Sequence, residues 1–434
     1  MKLVLFFTLA LTVVYTYGQS TDSLKHKILS TQDMQKDLAK YKQLLSETHP
    51  GLNSYLSEEA FKKSVNEIKE KISLDMRFYE FYALLVELNA KIRCAHTQLY
   101  PVADVLSYLR QNCKLFPFYV YPVEDNLHVI FNGTSDNKIK SGYELISINN
   151  KPISEIRATI DNYHYRDGYA SDVIRKFLQG NHFSMFYYFF IEQADSFTIV
   201  FKDLKGEEVK LSTEALLHGD INSNYVSNPV NKEMMAHYNR NVKNWDFKFV
   251  DDLPSTAQIN LASFAGKGIN SQEKAQEDFR KFMDKSLKKI EKKEVNNLIL
   301  ELRGNSGGWD ILGKELFTYL MKSDAPVPYY KAQYTITKDS EFLEYSDLDP
   351  ADLDKANEYL ERQADGRFRL KEEANPILKP AEPKPSRFKG NLYIIVDEQC
   401  VSTCAEFVAI AKSAGIGTIV GNETGGAYEG GTGG

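Results

Sequence analysis

A buried strand that turns sharply into an apolar helix, then returns to a second strand, closes this sequence and restricts it to folds built on a strand–helix–strand unit. Within Asn391–Gly426 the apolar run Leu392–Val396 reads as the strand. Asp397-Glu398-Gln399 is a polar turn. Cys400-Val401-Ser402-Thr403-Cys404 then opens an apolar helix, Ala405–Ala414, which Gly415 and Gly417 end before Thr418–Val420. A serine at such a turn has two readings. As an N-cap, its hydroxyl accepts an N–H of the first helical turn. As a nucleophile, it sits where those N–H groups point outward and can stabilise an oxyanion.

The chain ahead of this unit divides by periodicity. Residues 22–92 read as helices: Gln32–Glu47, stopped by His49-Pro50-Gly51; a second from Ser57 to about Ile72; and Arg77–Ile92, with Phe78, Phe81, Leu84, Leu85 and Leu88 on one face. Directly after it, Arg93–Tyr100 places His96 just past a helix end, where an imidazole is held either as a base or as a structural group bonded to backbone. Residues 115–213 form a β-rich module. Its strands are Phe118–Tyr121, Leu127–Phe131, Tyr143–Ile148, Phe197–Phe201 and Glu208–Leu211, and Asn149-Asn150-Lys151 closes a hairpin. The aromatic stretch Tyr163–Tyr188 is expected to be helical and to pack in the core, and the polar stretch 214–244 to join two domains.

Beyond it, a strand at Gln258–Phe264, a charged amphipathic helix at Gln272–Lys293 and a buried strand at Asn297–Leu302 lead into Arg303–Gly308, with a helix at Trp309–Met321. This alternation calls for an α/β domain with a partly parallel sheet. Residues 323–389 interrupt it as an insertion, with an exposed helix expected at Asp352–Gln363 and a solvated linker at Lys379–Pro385. A chain of 434 residues requires several such units.

Charge and termini narrow the function classes. A net charge of −6 gives no support for nucleic-acid binding. Lys2, the apolar run Leu3–Val14 and the small residue Gly18 form a signal peptide, cut before Gln19. No later stretch reaches membrane-spanning length, so an exported, soluble mature chain is expected, periplasmic or extracellular. Four cysteines, Cys94, Cys113, Cys400 and Cys404, are too few for a disulfide scaffold, though they permit one bridge. Their spacing fits no zinc site, and neither metal nor cofactor is expected.

Three distant features together supply the minimum set for acyl transfer. These are a hydroxyl at Ser402, an imidazole at His96, and a glycine turn at Gly304–Gly308 whose amides can approach a substrate oxygen. Glu301-Leu302-Arg303-Gly304-Asn305-Ser306-Gly307-Gly308 resembles the D-L-R-x-N-x-G-G motif of the C-terminal-processing (tail-specific) serine peptidases. Val401–Phe407 is similar to their nucleophile segment, and Val420–Gly426 to the G-E-x-T-G-G stretch that follows it. The hairpin at Ser141–Ile153 resembles the family's PDZ domain, which binds an extended peptide at a sheet edge. His49-Pro50-Gly51 and Ala95-His96-Thr97 look like the helical part of its exported bacterial branch.

The resemblance implies an α+β multidomain chain. A signal peptide (1–18) precedes a helical N-terminal domain (19–112), a PDZ-like domain (113–215) and an α/β, ClpP/crotonase-like peptidase core (230–434). It implies a peptide or protein substrate, Ser402 as nucleophile, and oxyanion donors at Gly307, Gly308 and Thr403. A lysine base is disfavoured, because Ala427 stands at its position; the branch resembling the tricorn core uses a histidine, which matches His96. Glu301 replaces the family's usual Asp. The chain stops inside Gly430–Gly434, so the core is expected to be cut short, with an orienting carboxylate further downstream. Thr403, Cys400 and Cys404 are rival nucleophiles. Ser402 is preferred because a β-branched Thr is a poor internal nucleophile and Cys404 is expected to pack under the helix. The alternative reading is a non-catalytic ligand- or peptide-binding protein on the same scaffold.

Overall fold

Serine caps start the first helices. In the computed structural model Ser30 Oγ accepts the N–H of Asp33 (3.1 Å) and Ser57 Oγ that of Ala60 (3.2 Å). The structure describes residues 27–101, 103–238, 243–266, 271–335, 341–342 and 357–426, so residues 1–18 and Ala427 lie outside the described residues. The two capped helices, Thr31–Thr48 and Glu58–Lys71, bury Met34, Leu38, Leu45, Phe61 and Ile68 in one cluster with the third helix, Phe78–Ile92. That third helix ends at Arg93 in the left-handed region (φ 61°), which turns the chain towards His96. Buried Asn89, one turn earlier, accepts from Tyr41 Oη (2.5 Å) and donates to Thr97 O, anchoring the exit stretch to the helix.

The middle module is an antiparallel sheet with strand order Phe118–Val123, Asn126–Asn132, Glu144–Ile148, Ser196–Lys202 and Glu208–Glu214. Lys151–Pro152 pairs back onto Glu144–Ile148 through a turn in which Asn149 (φ 47°) and Asn150 (φ 64°) are both left-handed, as a tight hairpin requires. Phe116, Phe118, Phe183, Tyr187, Phe197 and Phe201 fill its core.

Two sequence expectations change here. Only Ile174–Phe177 and Asn181–Phe190 of the aromatic stretch are helical. Residues 163–173 are irregular, because their backbone is committed elsewhere: Gly168 N–H donates to Arg93 O (2.9 Å). The supposed joining stretch after residue 214 instead holds helix His218–Ser227, which packs against the strand Asn126–Asn132, and helix Lys232–Tyr238. Buried Asn231 exchanges two hydrogen bonds with the Asn132 backbone (2.8 Å each), and Asn228 donates to Thr134 O (2.9 Å). Asn228 and Asn231 thus satisfy buried backbone rather than face water.

The third unit is a five-stranded sheet among the described residues. The order is Trp245–Phe249, Thr256–Leu261, Asn297–Glu301, Asn391–Val396, Thr418–Gly421, with the first pair antiparallel and the rest parallel. Helices Gln272–Lys292, Asp310–Leu320 and Thr403–Ser413 connect these strands and close a core of Ile259, Phe279, Leu300, Leu312, Ile394 and Phe407. The fold is therefore mixed α+β and multidomain. The strands Asn297–Glu301 and Asn391–Val396 lie side by side in register, so the turns leaving their C-terminal ends meet at one edge.

The insertion carries a small sheet, Tyr334–Thr335, Phe368–Leu370 and Leu360–Arg362. Leu360–Arg362 is thus a strand where a helix was expected; residues 352–356 of that expectation lie outside the described residues. Lys379–Pro385 is exposed over much of its length, as expected, but it is anchored to the core rather than a linker. Ala381 is fully buried and exchanges both backbone bonds with Val327 (3.1 and 2.7 Å). The Lys314 ammonium, buried in the helix Asp310–Leu320, donates to the carbonyls of Pro376 (2.8 Å), Ile377 (3.4 Å) and Lys379 (2.5 Å). Replacing Lys314 with Met should leave these carbonyls without their donor and lower stability by about 2–3 kcal/mol in urea unfolding. An unchanged midpoint would show that the strap holds without it.

Candidate active site

Ser402 occupies the first position before the helix Thr403–Ser413, yet its hydroxyl caps nothing. Its backbone lies at φ 53°, ψ −136°, a region that costs a non-glycine residue about 1–3 kcal/mol. The N-cap reading therefore fails: the turn spends strain to hold the side chain clear of its own helix. Neighbouring groups maintain the turn. The Asp397 carboxylate accepts from Gln399 N (3.1 Å) and Gly304 N (3.0 Å), tying it to the glycine turn. Cys400 and Cys404 are fully buried beneath it, and Cys400 Sγ donates to Leu302 O (3.2 Å). None of the four cysteines is in a disulfide, and all four are buried.

The glycine turn comes within contact of the nucleophile. A Cβ on Gly307 (φ 94°) would lie 2.8 Å from Ser402 Cβ and 3.1 Å from Thr403 N, so only glycine fits. One expected oxyanion donor is corrected. Gly307 N–H donates to Asn305 Oδ1 (2.8 Å), and buried Asn305 also bonds Leu261 O (2.9 Å). The amides of Gly308 and Thr403 meet no acceptor among the described residues and remain open beside Ser402. Thr403 is excluded as a rival nucleophile by its side chain. That group is fully buried, with Oγ1 2.8 Å from Gly308 O and 2.7 Å from Asp310 Oδ1.

His96 reaches the same point from the helical domain. Its Nε2 lies 3.2 Å from Ser402 Oγ across 306 residues of sequence, within the reach required of a base. Its Nδ1 is buried and has no hydrogen-bond partner among the described residues. Cys94 Sγ, one ring nitrogen of His96 and a carboxylate oxygen of Asp167 lie within 4.8 Å of one another. Among the described residues this trio is the one set that could hold a metal ion, a grouping that spacing along the chain does not reveal.

Sequence reasoning missed the acids around this point. Burial pushes the Asp310 carboxyl above the usual carboxylate range, opposed by the Thr403 hydroxyl and by His96. The single Thr403 hydroxyl hydrogen faces two acceptors, Gly308 O and Asp310 Oδ1. Glu406, in the first turn after Ser402, accepts from Tyr330 Oη of the insertion. Burial and then the Asp310 carboxylate push Glu406 up to about 8; the Tyr330 hydroxyl opposes them, and Asp167 adds to the rise. An unfolded chain releases this proton near 4.5. Between pH 4.5 and 8 the folded chain keeps a proton the unfolded one has lost, so stability falls as pH rises through that window and levels above it. Glu406→Gln should remove a slope worth on the order of 5 kcal/mol. Urea unfolding across that range measures it, and an unaltered slope in the variant would refute the assignment.

Residues 255–431 match the model of peptidase family S41. Among solved structures the chain is similar to mature CPAF complexed with lactacystin (12% identity, 91% of this chain and 85% of that one, TM-score 0.54). It is also similar to a serine-to-alanine mutant of CPAF (13%, 91% and 84%, TM-score 0.58). The photosystem II D1 C-terminal processing protease matches at 11% identity over 91% and 82%, with a TM-score of 0.38. No curated protein matches by sequence. At such identities the CPAF likeness describes the fold alone, while the family match covers both the glycine turn and Ser402: residues 255–431 form a domain of peptidase family S41, a family of serine-type peptidases.

Proposed function

We propose that this protein hydrolyses peptide bonds through an acyl-enzyme on Ser402, with His96 as general base. The observation that carries the reading is the 3.2 Å approach of His96 Nε2 to Ser402 Oγ. His96 Nε2 takes the Oγ proton as Oγ bonds to the scissile carbonyl carbon. The carbonyl oxygen becomes an oxyanion facing the open amides of Gly308 and Thr403. The C–N bond breaks as His96 returns the proton to the leaving amine. Water, deprotonated by the same imidazole, then releases the acid and restores Ser402.

The antiparallel module suits a peptide substrate, in the manner of a PDZ-like domain that adds a strand to a sheet edge. A fluorophosphonate probe should label the wild-type chain on Ser402, and a fluorogenic peptide mixture should be cleaved. Labelling that persists at another residue after Ser402→Ala would refute the choice of nucleophile.

A further inference from the structure

We propose that Cys94, His96 and Asp167 form a binding site for a thiophilic divalent cation, zinc above all, and that the bound ion switches the peptidase off by occupying the imidazole. The site stands on its own donors; its effect on turnover rests on the reading of His96 as the base.

Two segments build the donor set. Thr97 N–H donates to Cys94 O (3.1 Å), closing a tight turn that brings Cys94 and His96 together. Asp167 comes from the irregular stretch 163–173, and its Oδ1 accepts the N–H of Ala95, the residue between those two (2.6 Å). Gly168 N–H donates to Arg93 O (2.9 Å), and Arg93 Nη1 donates back to Gly168 O (3.0 Å). Tyr165 Oη accepts from Leu99 N (3.2 Å), so the two segments are tied on both sides of the turn. Cys94 is 2% and Asp167 3% exposed, while His96 is half-buried beside Ser402. Folding has thus already fixed the donors, and an ion has little left to order.

The donor chemistry selects the ion. One sulfur, one imidazole nitrogen and one carboxylate oxygen lie within 4.8 Å of one another. Zinc bonds of about 2.0–2.3 Å set the edges of a tetrahedron at about 3.3–3.8 Å. Side-chain shifts of about 1 Å therefore close the set, with the fourth position left to water. Sulfur and imidazole together favour zinc over magnesium or calcium, which take oxygen donors. As the metal–sulfur bond forms, the Cys94 thiol gives its proton to solvent, and no electron changes hands. Thiolate and carboxylate then carry two negative charges, which a divalent cation cancels in a buried place.

The consequence for catalysis follows from the imidazole having a single lone pair to offer. A neutral ring accepts at one nitrogen and carries hydrogen on the other. An ion on Nε2 takes the lone pair that must receive the Ser402 proton. An ion on Nδ1, which is buried with no hydrogen-bond partner among the described residues, leaves the hydrogen on Nε2. Nε2 then donates to Ser402 and cannot accept from it. Either bond removes the base, so the effect is the same whichever nitrogen binds.

The test uses the full chain, stripped with a chelator that is then dialysed away. Co²⁺ should bind at one ion per chain with a thiolate charge-transfer band in the near ultraviolet, and Zn²⁺ should displace it. Saturating Zn²⁺ should lower peptide turnover and fluorophosphonate labelling by at least about 10²-fold, the contribution of a general base, and chelator should restore both. Mg²⁺ should do neither. Cys94→Ser, scored against its own metal-free rate, should lose the band and weaken inhibition by Zn²⁺ at least about tenfold. Cys113→Ser, which alters a buried thiol in a different cluster, should keep both. A wild-type chain without the band would overturn the site, as would a band or full zinc sensitivity surviving in folded Cys94→Ser. Should that variant not fold, Asp167→Asn, which keeps an oxygen for the Ala95 N–H, replaces it, and unchanged zinc affinity there would overturn the site. Zinc bound at Cys94 with turnover unchanged would overturn the switch. A metal-free chain that neither labels nor cleaves peptides defeats the proposed function itself, and the cobalt titration still decides the site.

Discussion

Replacing Ser402 by alanine should lower peptide turnover by about 10⁴–10⁶-fold while leaving the fold as stable as before. The two effects separate because the Ser402 hydroxyl does nothing for its own helix. It caps no N–H, and its hydrogen-bond partner is His96, which belongs to the site. Alanine at φ 53° meets the same backbone cost as serine, so stability has no reason to change. Glycine has no such cost. Ser402→Gly should be equally inactive yet more stable by about 1 kcal/mol, the relieved strain being partly offset by the greater freedom of glycine in the unfolded chain. Turnover assays and urea unfolding of the three proteins decide the matter. An active Ser402→Ala would remove the nucleophile from the mechanism, and a destabilised Ser402→Gly would remove the strain argument.

His96→Ala should reduce kcat by about 10⁴-fold or more and change KM little, because the imidazole acts on the proton of Ser402 rather than on bound peptide. Fluorophosphonate labelling should slow in parallel, since that reaction also requires the deprotonated hydroxyl. The substitution leaves the loop's tethers in place. Asn89 still holds Thr97, and Asp167 still holds the backbone of Ala95, so a loss of activity reports chemistry rather than collapse. Undiminished turnover in His96→Ala would require another base.

Much of the third unit is legible along the chain because its signals are local. A helix expected over Gln272–Lys293 is found at Gln272–Lys292, and a strand expected over Leu392–Val396 at Asn391–Val396. Serine caps, apolar periodicity and glycine stops each act within a few residues. Three of the misreadings share a cause. In the aromatic stretch around residue 165, in the polar segment after 214 and in Lys379–Pro385, partners far away in sequence claim the backbone. These partners are Arg93, Asn132 with Thr134, and Lys314, and none leaves a mark on its neighbours along the chain.

The sequence alone specified the strand-to-helix turn that presents Ser402, the glycine turn beside it and a histidine at a helix end, because each depends on the φ/ψ preferences and hydrogen bonding of adjacent residues. Tertiary structure alone decided that His96 arrives within 3.2 Å of Ser402, that Asn305 engages the Gly307 amide while those of Gly308 and Thr403 stay open, and that Asp167, Asp310 and Glu406 gather around them. Such meetings form when apolar faces close on one another, and burial then sets both which polar groups find partners and which acids keep their protons.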